Sequence, residues 1–323
     1  CTISHRGSSP GVAAIVSTPL ADRVLAPPGK AASWQRQRRL AAYLFIAPAL
    51  LIVVAVSLYP IAYQAWLSFT DWYLLQNPVP VWHGLEGYRT LFGDQVVWQS
   101  LGRTAYWTLG TVLLEYAFAL PIALLLSRRS WVTGFLTGAL LLPWVMPSVV
   151  AGYTWRWLLD SESGTIHALL QQVGIAGERS LLAEPGAVLP VLTVISAWKG
   201  IPFMAIALLA GMKAIPPDLY EAAAIDGAGK VRQFRDITLP LLRPVTVITC
   251  LILGILAFYS FDLVWVMTKG GPSDASMLIG VYLFRLFFER LELSYAAVIG
   301  TSMLVLLIIF SSGYLRVAGR DPE

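Results

Sequence analysis

The sequence predicts an all-α membrane protein with six transmembrane helices. Hydrophobic residues make up 57% of the 323 residues, charged residues make up only 13%, and the mean hydropathy is +0.66. Soluble globular domains contain about 25% charged residues, so this composition excludes an ordinary soluble domain. A membrane-spanning helix requires about 20 mainly apolar residues, and the chain contains six runs of that kind.

The apolar runs divide the chain into predicted spans and connecting segments. The predicted spans cover residues 40–69, 105–126, 132–159, 187–210, 244–267 and 295–314. Residues 1–39 are rich in Pro, Gly and Ser, which predicts a disordered cytoplasmic tail. We expect the six-helix membrane domain to cover residues 40–317 and a second cytoplasmic tail to cover residues 318–323.

Lysine and arginine lie mainly on one side of the predicted membrane. They are concentrated before the first span at 36–39, between the second and third spans at 128–129, and between the fourth and fifth spans at 213–243. The resulting topology gives a charge of +8 inside and −4 outside, which together make the +4 of the whole chain. Because cytoplasmic segments carry the excess of positive charge, both termini are predicted to be cytoplasmic. This explanation of the basic character predicts no nucleic-acid partner.

Patterns that carry catalysis or metal binding are missing from the sequence. The chain contains three His and two Cys, and Cys1 and Cys250 are too far apart to suggest a metal cluster or a disulfide framework. It contains no G-x-S-x-G and no H-E-x-x-H motif. We therefore expect no catalytic residue, no metal site and no cofactor bound by this chain.

The largest predicted cytoplasmic connection covers residues 212–243. Pro216 and Pro217 begin a helix-forming stretch, "DLYEAAAI", because proline is favoured at the first helical position. Gly227 and Gly229 follow, and glycine readily adopts the positive φ that ends a helix. The pattern predicts a short helix, a tight turn and a second short amphipathic helix on the inner membrane face.

The letters "GAGK" in this loop are similar to the end of a nucleotide-binding phosphate loop. That motif is G-x-x-x-x-G-K-[S/T], placed after a buried strand. In register with Gly229 and Lys230, the first glycine position is Ala224 and the hydroxyl position is Val231. A helix-forming stretch stands in place of the strand, so we do not expect this loop to bind a nucleotide.

A longer pattern in the same loop resembles a known family. Residues 221–240 fit "EAA-x3-G-x9-I-x-L-P", the EAA loop of the membrane-spanning subunits of binding-protein-dependent ATP-binding-cassette importers. Asp226 and Phe234 resemble the carbohydrate branch of that family. The segment "FDLVWVMTKGGPSDAS" at 261–276 resembles the first of the two permease subunits of maltose-, trehalose- or glycerol-phosphate-type importers.

The resemblance implies the type I importer permease fold, with the EAA loop forming the coupling helices that contact a separate ATPase. The residues it assigns to ATPase coupling are Glu221, Ala222, Ala223, Asp226, Gly227, Ile237, Leu239 and Pro240. It implies a second permease subunit, two copies of a cytoplasmic ATP-binding-cassette ATPase that binds ATP and Mg²⁺, and an extracellular or periplasmic solute-binding protein that delivers a sugar. The expected location is the bacterial or archaeal cytoplasmic membrane, and no ATP hydrolysis is expected from this chain.

Polar and aromatic residues in the later spans are candidates for the substrate pathway. They are Trp198, Tyr259, Ser260, Asp262 and Trp265. Aromatic rings stack on sugar C–H surfaces, carboxylates accept hydrogen bonds from hydroxyls, and an ionisable residue within a span indicates a functional site. The alternative for these residues is a position at the membrane interface. Glu115 in the second span either makes an interhelical hydrogen bond or lines the pathway.

Two other functions compete with a sugar importer subunit. Permease subunits for glycerol phosphate, polyamine or phosphate share the EAA loop. An ion-driven secondary transporter would require inverted repeats and several buried acids, and only Glu115 and Asp262 are candidates.

Overall fold

A computed structural model of the chain describes residues 43–127 and 131–318. The chain divides into two units, residues 1–61 and 62–323. The described part of the first unit, residues 43–61, is helical and all of its side chains are exposed. The predicted tail at 1–39, the basic residues at 128–129 and residues 319–323 lie outside the described residues.

Long apolar helices dominate the described residues. Five of them are long and apolar enough to cross a membrane: α1 (Tyr43–Leu67), α3 (Gln95–Leu126), α8 (Val188–Lys213), α10 (Lys230–Phe258) and α13 (Leu293–Ala318). A sixth crossing results if one bent segment counts as a single span, and this segment contains three short helices: α4 (Trp131–Leu140), α5 (Leu142–Val145) and α6 (Ser148–Leu158). The other short helices are α2 (Glu86–Gly93), α7 (Thr165–Gln172), α9 (Pro217–Ile225), α11 (Asp262–Thr268) and α12 (Ile279–Phe284). The predicted all-α membrane fold is confirmed.

The third predicted span, 132–159, is bent and not continuous. The segments Gly134–Val145 and Ser148–Leu158 meet at an angle of 91°. Met146 lies at the bend with ψ 128, outside the helical region, and it precedes Pro147. A residue before proline is disfavoured in the helical conformation because the proline ring crowds its backbone, which accounts for the break.

The fifth predicted span, 244–267, also requires correction at both ends. Helix α10 already begins at Lys230 and ends at Phe258, and α11 begins only at Asp262. A carbonyl in the last turn of α10, that of Ala257, accepts a hydrogen bond from the indole N–H of Trp107 at 3.1 Å. A broken helix is tolerated within a membrane protein when other groups satisfy its backbone in this way.

Helices α3 and α8 pack closely because small residues lie between them. A Cβ at Gly110 would lie 3.0 Å from the Cγ2 of Thr193, and Ala119 and Ala205 are completely buried. Without a hydrophobic driving force between helices in lipid, such small residues let two backbones approach and gain dispersion contacts. The α3–α8 pair therefore forms the centre of the second unit.

The start of α3 is held by one carboxylate. Asp94 caps the helix by accepting a hydrogen bond from the N–H of Val96 at 2.8 Å. It also accepts hydrogen bonds from the hydroxyls of Tyr295 at 2.7 Å and Tyr282 at 3.1 Å, which joins α3 to α13 and α12. Burial alone would raise the pKa of Asp94, but these hydrogen bonds hold the pKa below its usual value.

A short β-hairpin connects α1 to α2. Its strands, β1 (Thr70–Asp71) and β2 (Val81–Trp82), pair antiparallel with Thr70 opposite Trp82. The hydroxyl of Thr70 forms a buried hydrogen bond of 2.9 Å with that of Ser294, next to the start of α13. The hairpin is thus attached to the helical core.

Candidate coupling loop and cavity

The connection at residues 212–243, called the coupling loop from here on, begins in the last turn of α8, which ends at Lys213. Pro216 has an extended backbone, with ψ 130, and Pro217 is the first residue of α9. Asp218 lies in the first turn, where the helix dipole favours negative charge. The predicted short helix is confirmed as α9, and none of its side chains is buried.

Gly227 ends α9 in the left-handed conformation, with φ +78. Its N–H donates to the carbonyl of Ala224 at 3.1 Å, and the N–H of Ala228 donates to that of Ala223 at 2.8 Å. These paired bonds form a Schellman motif. No heavy atom lies within 4 Å of a Cβ built at Gly227, so glycine is required by backbone conformation and not by space. Gly229, the second glycine predicted to turn the chain, has φ −68.

The second half of the coupling loop differs from the predicted separate short helix. Helix α10 is continuous from Lys230 to Phe258, so this half is the beginning of a membrane helix. Residues Phe234–Thr238 form a wider π-helical turn. The turn immediately precedes Leu239 and Pro240, and a proline ring within a helix clashes with the carbonyl four residues earlier. The wider turn accommodates that proline.

Side-chain hydrogen bonds fasten α9 to α10. The hydroxyls of Tyr220 and Thr238 lie 2.9 Å apart. The amide of Gln233 donates to the carbonyls of Ala228 at 3.0 Å and Tyr220 at 3.4 Å. Sequence reasoning missed these three side chains, because the contacts join residues 5, 13 or 18 positions apart and no local pattern indicates them.

The residues assigned to ATPase coupling lie mostly on the surface. Exposed among them are Glu221, Ala222, Asp226, Gly227, Leu239 and Pro240, and Ala223 and Ile237 are partly buried. Three large apolar side chains nearby, Leu219, Ile225 and Val231, are 44%, 87% and 83% exposed. The loop therefore presents exposed apolar side chains with carboxylates beside them.

A cavity of about 420 Å³ lies between α3, α6, α8 and the break that separates α10 from α11. Three of the residues predicted for the substrate pathway line it: Tyr259, Ser260 and Asp262. All three occur at the break or immediately after it, where the chain leaves the helical conformation. Irregular backbone at membrane depth is tolerated where it lines a cavity, which fits this arrangement.

The two tryptophans predicted for the pathway are not among the residues that line this cavity. Trp198 packs edge-on against Trp155, with ring centroids 5.4 Å apart. Trp265 packs against Phe261 at 5.5 Å and Phe284 at 4.5 Å. Their neighbours in the structure are aromatic side chains of the helix packing.

Other polar residues line the cavity as well. Glu115, for which two roles were open, is one of them, together with Thr111, Ser148, Ser196 and Lys199. Lys199 was missed, although an ionisable side chain within a span is the same signal that selected Asp262. Within residues 43–127 and 131–318, no three His, Cys, Asp or Glu side chains come together as metal ligands would.

Comparison with known proteins gives the family. Residues 116–320 match the model of the family described as "Binding-protein-dependent transport system inner membrane component". The chain belongs to this family. It is therefore a permease subunit, a multi-pass component of an inner membrane.

Individual relatives in this family align over most of the chain. The permease is 32% identical over 279 residues to the sulfoquinovosyl glycerol transport system permease protein of Agrobacterium fabrum, covering 86% of this chain and 90% of that one. It is 32% identical over 277 residues to the trehalose/maltose transport system permease protein of Thermococcus litoralis, covering 85% and 92%.

The fold of the permease also matches a solved structure. A chain of a bacterial ABC transporter involved in the import of the acidic polysaccharide alginate aligns with a TM-score of 0.77 at 20% identity. The alignment covers 90% of this chain and 99% of that chain. This likeness confirms the importer permease fold.

Proposed function

We propose that the permease is one transmembrane subunit of an ATP-driven sugar importer, in which the coupling loop transmits the closure of a separate ATPase to the cavity. The observation that carries this proposal is the path of one helix. Helix α10 begins in the coupling loop at Lys230 and ends at Phe258 beside the cavity, and its 29 residues give a rod of about 43 Å at 1.5 Å per residue. A displacement of α9, which is hydrogen-bonded to α10, would thus reach Tyr259 and Asp262.

The proposed assembly contains partners on both sides of the membrane. The coupling loop faces the cytoplasm, as its basic residues favour, and both termini lie on that side. Two copies of a cytoplasmic ATPase bind ATP and Mg²⁺, and a second permease subunit supplies the other half of the pathway. A solute-binding protein delivers the substrate from outside, a role supported by a related alginate transporter whose structure contains a periplasmic protein with bound pentasaccharide.

A carbohydrate substrate is supported by the relatives and by the cavity. The two curated relatives are named for transport of sulfoquinovosyl glycerol and of trehalose and maltose. The cavity is lined by three aromatic residues, Trp144, Tyr259 and Phe261, together with hydroxyls and charged groups. Sugars offer apolar C–H faces and hydroxyls that both donate and accept hydrogen bonds, so they match this mixture.

The coupling role is tested by reversing one charge. Glu221→Lys in the coupling loop should abolish copurification of the ATPase with the assembled permease pair, because the introduced lysine would repel the basic group that Glu221 is proposed to meet. Glu86→Lys is the matched control, since Glu86 is also an exposed helical acid but lies outside the loop. Wild-type yields of ATPase with both variants would contradict the docking role.

The substrate class is tested on the solute-binding protein of the same importer. Calorimetric titration with maltose, trehalose, glycerol 3-phosphate, phosphate and spermidine should give micromolar or tighter binding for a sugar alone. Binding of phosphate, glycerol 3-phosphate or spermidine would indicate that the permease belongs to an importer of that non-sugar solute. Sodium- or proton-driven uptake by the permease without an ATPase would instead favour a secondary transporter.

A further inference from the structure

Four buried side-chain oxygens on α3 have no hydrogen-bond partner among the described residues, those of Ser100, Thr108, Thr111 and Glu115, and the last two line the cavity. Glu115 is 4% exposed and Thr111, one turn earlier on the same face, is 2% exposed, and both line the cavity. The Oε2 of Glu115 and the Oγ1 of Thr111 make no hydrogen bond with any of the described residues. Leaving buried polar groups unpaired is costly, and such groups in native proteins normally have a function that explains them.

Two other polar side chains on α3, those of Thr104 and Trp107, form hydrogen bonds that join the helix to other elements. Thr104 accepts a hydrogen bond from the N–H of Ile279 at 2.9 Å and donates to the carbonyl of Ser100 at 2.7 Å. Trp107 donates to the carbonyl of Ala257. These groups join α3 to other elements through satisfied bonds, whereas Thr111 and Glu115 contribute no such bond. An interhelical hydrogen bond therefore does not account for Glu115.

The carboxylate of Glu115 lies against α8 at Gly200. A Cβ at position 200 would overlap the Oε1 of Glu115, so this close approach depends on glycine. The preceding residue, Lys199, lines the same cavity and interacts electrostatically with Asp262 on α11. Among the described residues Lys199 forms no ion pair within 4.0 Å. The N–H groups of its ammonium therefore donate no hydrogen bond to a carboxylate.

We propose that Thr111, Glu115 and Lys199 form a hydroxyl-binding subsite of the cavity, in which Glu115 accepts a hydrogen bond from a sugar hydroxyl and Lys199 donates one. A hydroxyl is donor and acceptor at once, so sugar hydroxyls supply a donor for the unpaired oxygen of Glu115 and an acceptor for the ammonium of Lys199. The two groups come from α3 and α8, and Thr111 supplies a third contact one helical turn away. This inference rests on the proposed transport of a sugar and names residues that hold it.

The subsite is tested with the complete importer in proteoliposomes, with its binding protein at saturating concentration. The probes are radiolabelled maltose and trehalose, and sugar uptake and ATP hydrolysis are measured on the same vesicles. The informative quantity is the number of sugar molecules transported per ATP hydrolysed. A loss of substrate contacts lowers this ratio, whereas a purely structural defect lowers transport and hydrolysis together.

Glu115→Gln, Thr111→Val and Lys199→Gln are the test variants. Hydrogen bonds to charged groups are strong, so Lys199→Gln should lower the ratio by about tenfold, and Glu115→Gln and Thr111→Val by about threefold each. Thr193→Val is the matched control, because Thr193 is equally buried but lies outside the cavity lining, and its hydroxyl donates to the carbonyl of Leu189 at 2.7 Å. The control should keep the wild-type ratio within about twofold.

The outcomes separate the subsite from the proposed function. A wild-type importer that transports either sugar, together with Glu115→Gln and Lys199→Gln variants that keep the wild-type ratio, would overturn the subsite and leave the proposed function intact. A wild-type importer that transports neither sugar, while its binding protein binds another solute, would overturn both. A lowered ratio in the cavity variants, with unchanged ATP hydrolysis and an unaffected Thr193→Val control, is the result that we expect.

Discussion

The coupling loop positions its residues by local backbone structure, whereas the cavity positions its residues by packing between helices. In the loop, Gly227 and the helix that it ends form a local structure within about a dozen residues, and most of their side chains are exposed. In the cavity, Thr111, Lys199 and Asp262 come from three helices that are distant in sequence. The loop is therefore fixed by backbone conformation and the cavity by tertiary packing, so different substitutions should damage the two regions.

The largest expected effect comes from changing the backbone of the loop. Gly227→Pro forces φ to about −65° where the structure has +78, so α9 would lose its ending and transport should fall to background. Gly227→Asn should keep most transport, since asparagine tolerates the left-handed conformation better than other residues with a Cβ. Uptake in proteoliposomes measures both variants.

Gly229 supplies the matched control for that substitution. It also has open space around its Cβ position, but its φ is −68. Gly229→Ala should therefore transport like the wild type, whereas Gly227→Ala should be impaired, with a conformational cost of about 1–2 kcal/mol. Equal activities of the two alanine variants would show that the positive φ is not what the loop requires.

The next effect tests the cavity. Asp262→Asn should lower sugar uptake by about tenfold, because the residue loses a charged hydrogen-bond acceptor next to Lys199. Asp274→Asn should leave uptake nearly unchanged, since Asp274 is exposed and pairs with Arg285 at 3.1 Å away from the cavity. A similar loss in both variants would point to a general effect of charge and remove Asp262 from the site.

A smaller effect is expected from filling the contact between α3 and α8. A methyl group at position 200 would overlap the carboxylate of Glu115, so Gly200→Ala should destabilise the permease by about 1–3 kcal/mol. Gly102 lies on α3, and no heavy atom lies within 4 Å of a Cβ built there. Gly102→Ala should therefore stabilise the helix by about 1 kcal/mol. Thermal unfolding of the detergent-solubilised permease distinguishes them, and a lower unfolding temperature for Gly102→Ala than for Gly200→Ala would contradict the packing described.

The smallest effect concerns Asp94 at the start of α3. Asp94→Ala should lower stability by about 1 kcal/mol through loss of the helix cap. Because hydrogen bonds hold the pKa of Asp94 below its usual value, the stabilisation is present above the unfolded-state pKa and is lost as the pH falls through the folded-state pKa. Thermal unfolding at pH 7 and at pH 3 should therefore show a smaller difference between wild type and Asp94→Ala at pH 3. An equal or larger difference at the acidic pH would contradict the role of the carboxylate.

The contrast between the two regions also explains what the sequence could predict. Proline, aspartate and glycine at 216–227 act through local backbone preferences, so α9 and its ending at Gly227 were predicted correctly. Five of the six predicted spans correspond to helices long and apolar enough to cross a membrane, and they followed from apolar runs alone. The end of α10 at Phe258 was missed because a hydropathy pattern does not register a break that preserves apolar character.

The cavity was predicted only in part, for a physical reason. All five predicted residues were selected by residue type. Tyr259, Ser260 and Asp262 line the cavity, whereas Trp198 and Trp265 pack against other aromatic rings. Which face of a span meets a cavity depends on helix rotation and on neighbouring helices. Lys199 and Thr111 became candidates only when that packing was known.

The central claim is that α9 binds a separate ATPase. Hydrogen exchange of the backbone amides in residues 217–229, measured on the permease pair alone and on the complete importer, tests it most directly. We predict slower exchange in this segment when the ATPase is bound, with little change around Gly102 on α3. Unchanged exchange of residues 217–229 in an importer that retains its ATPase would contradict the account.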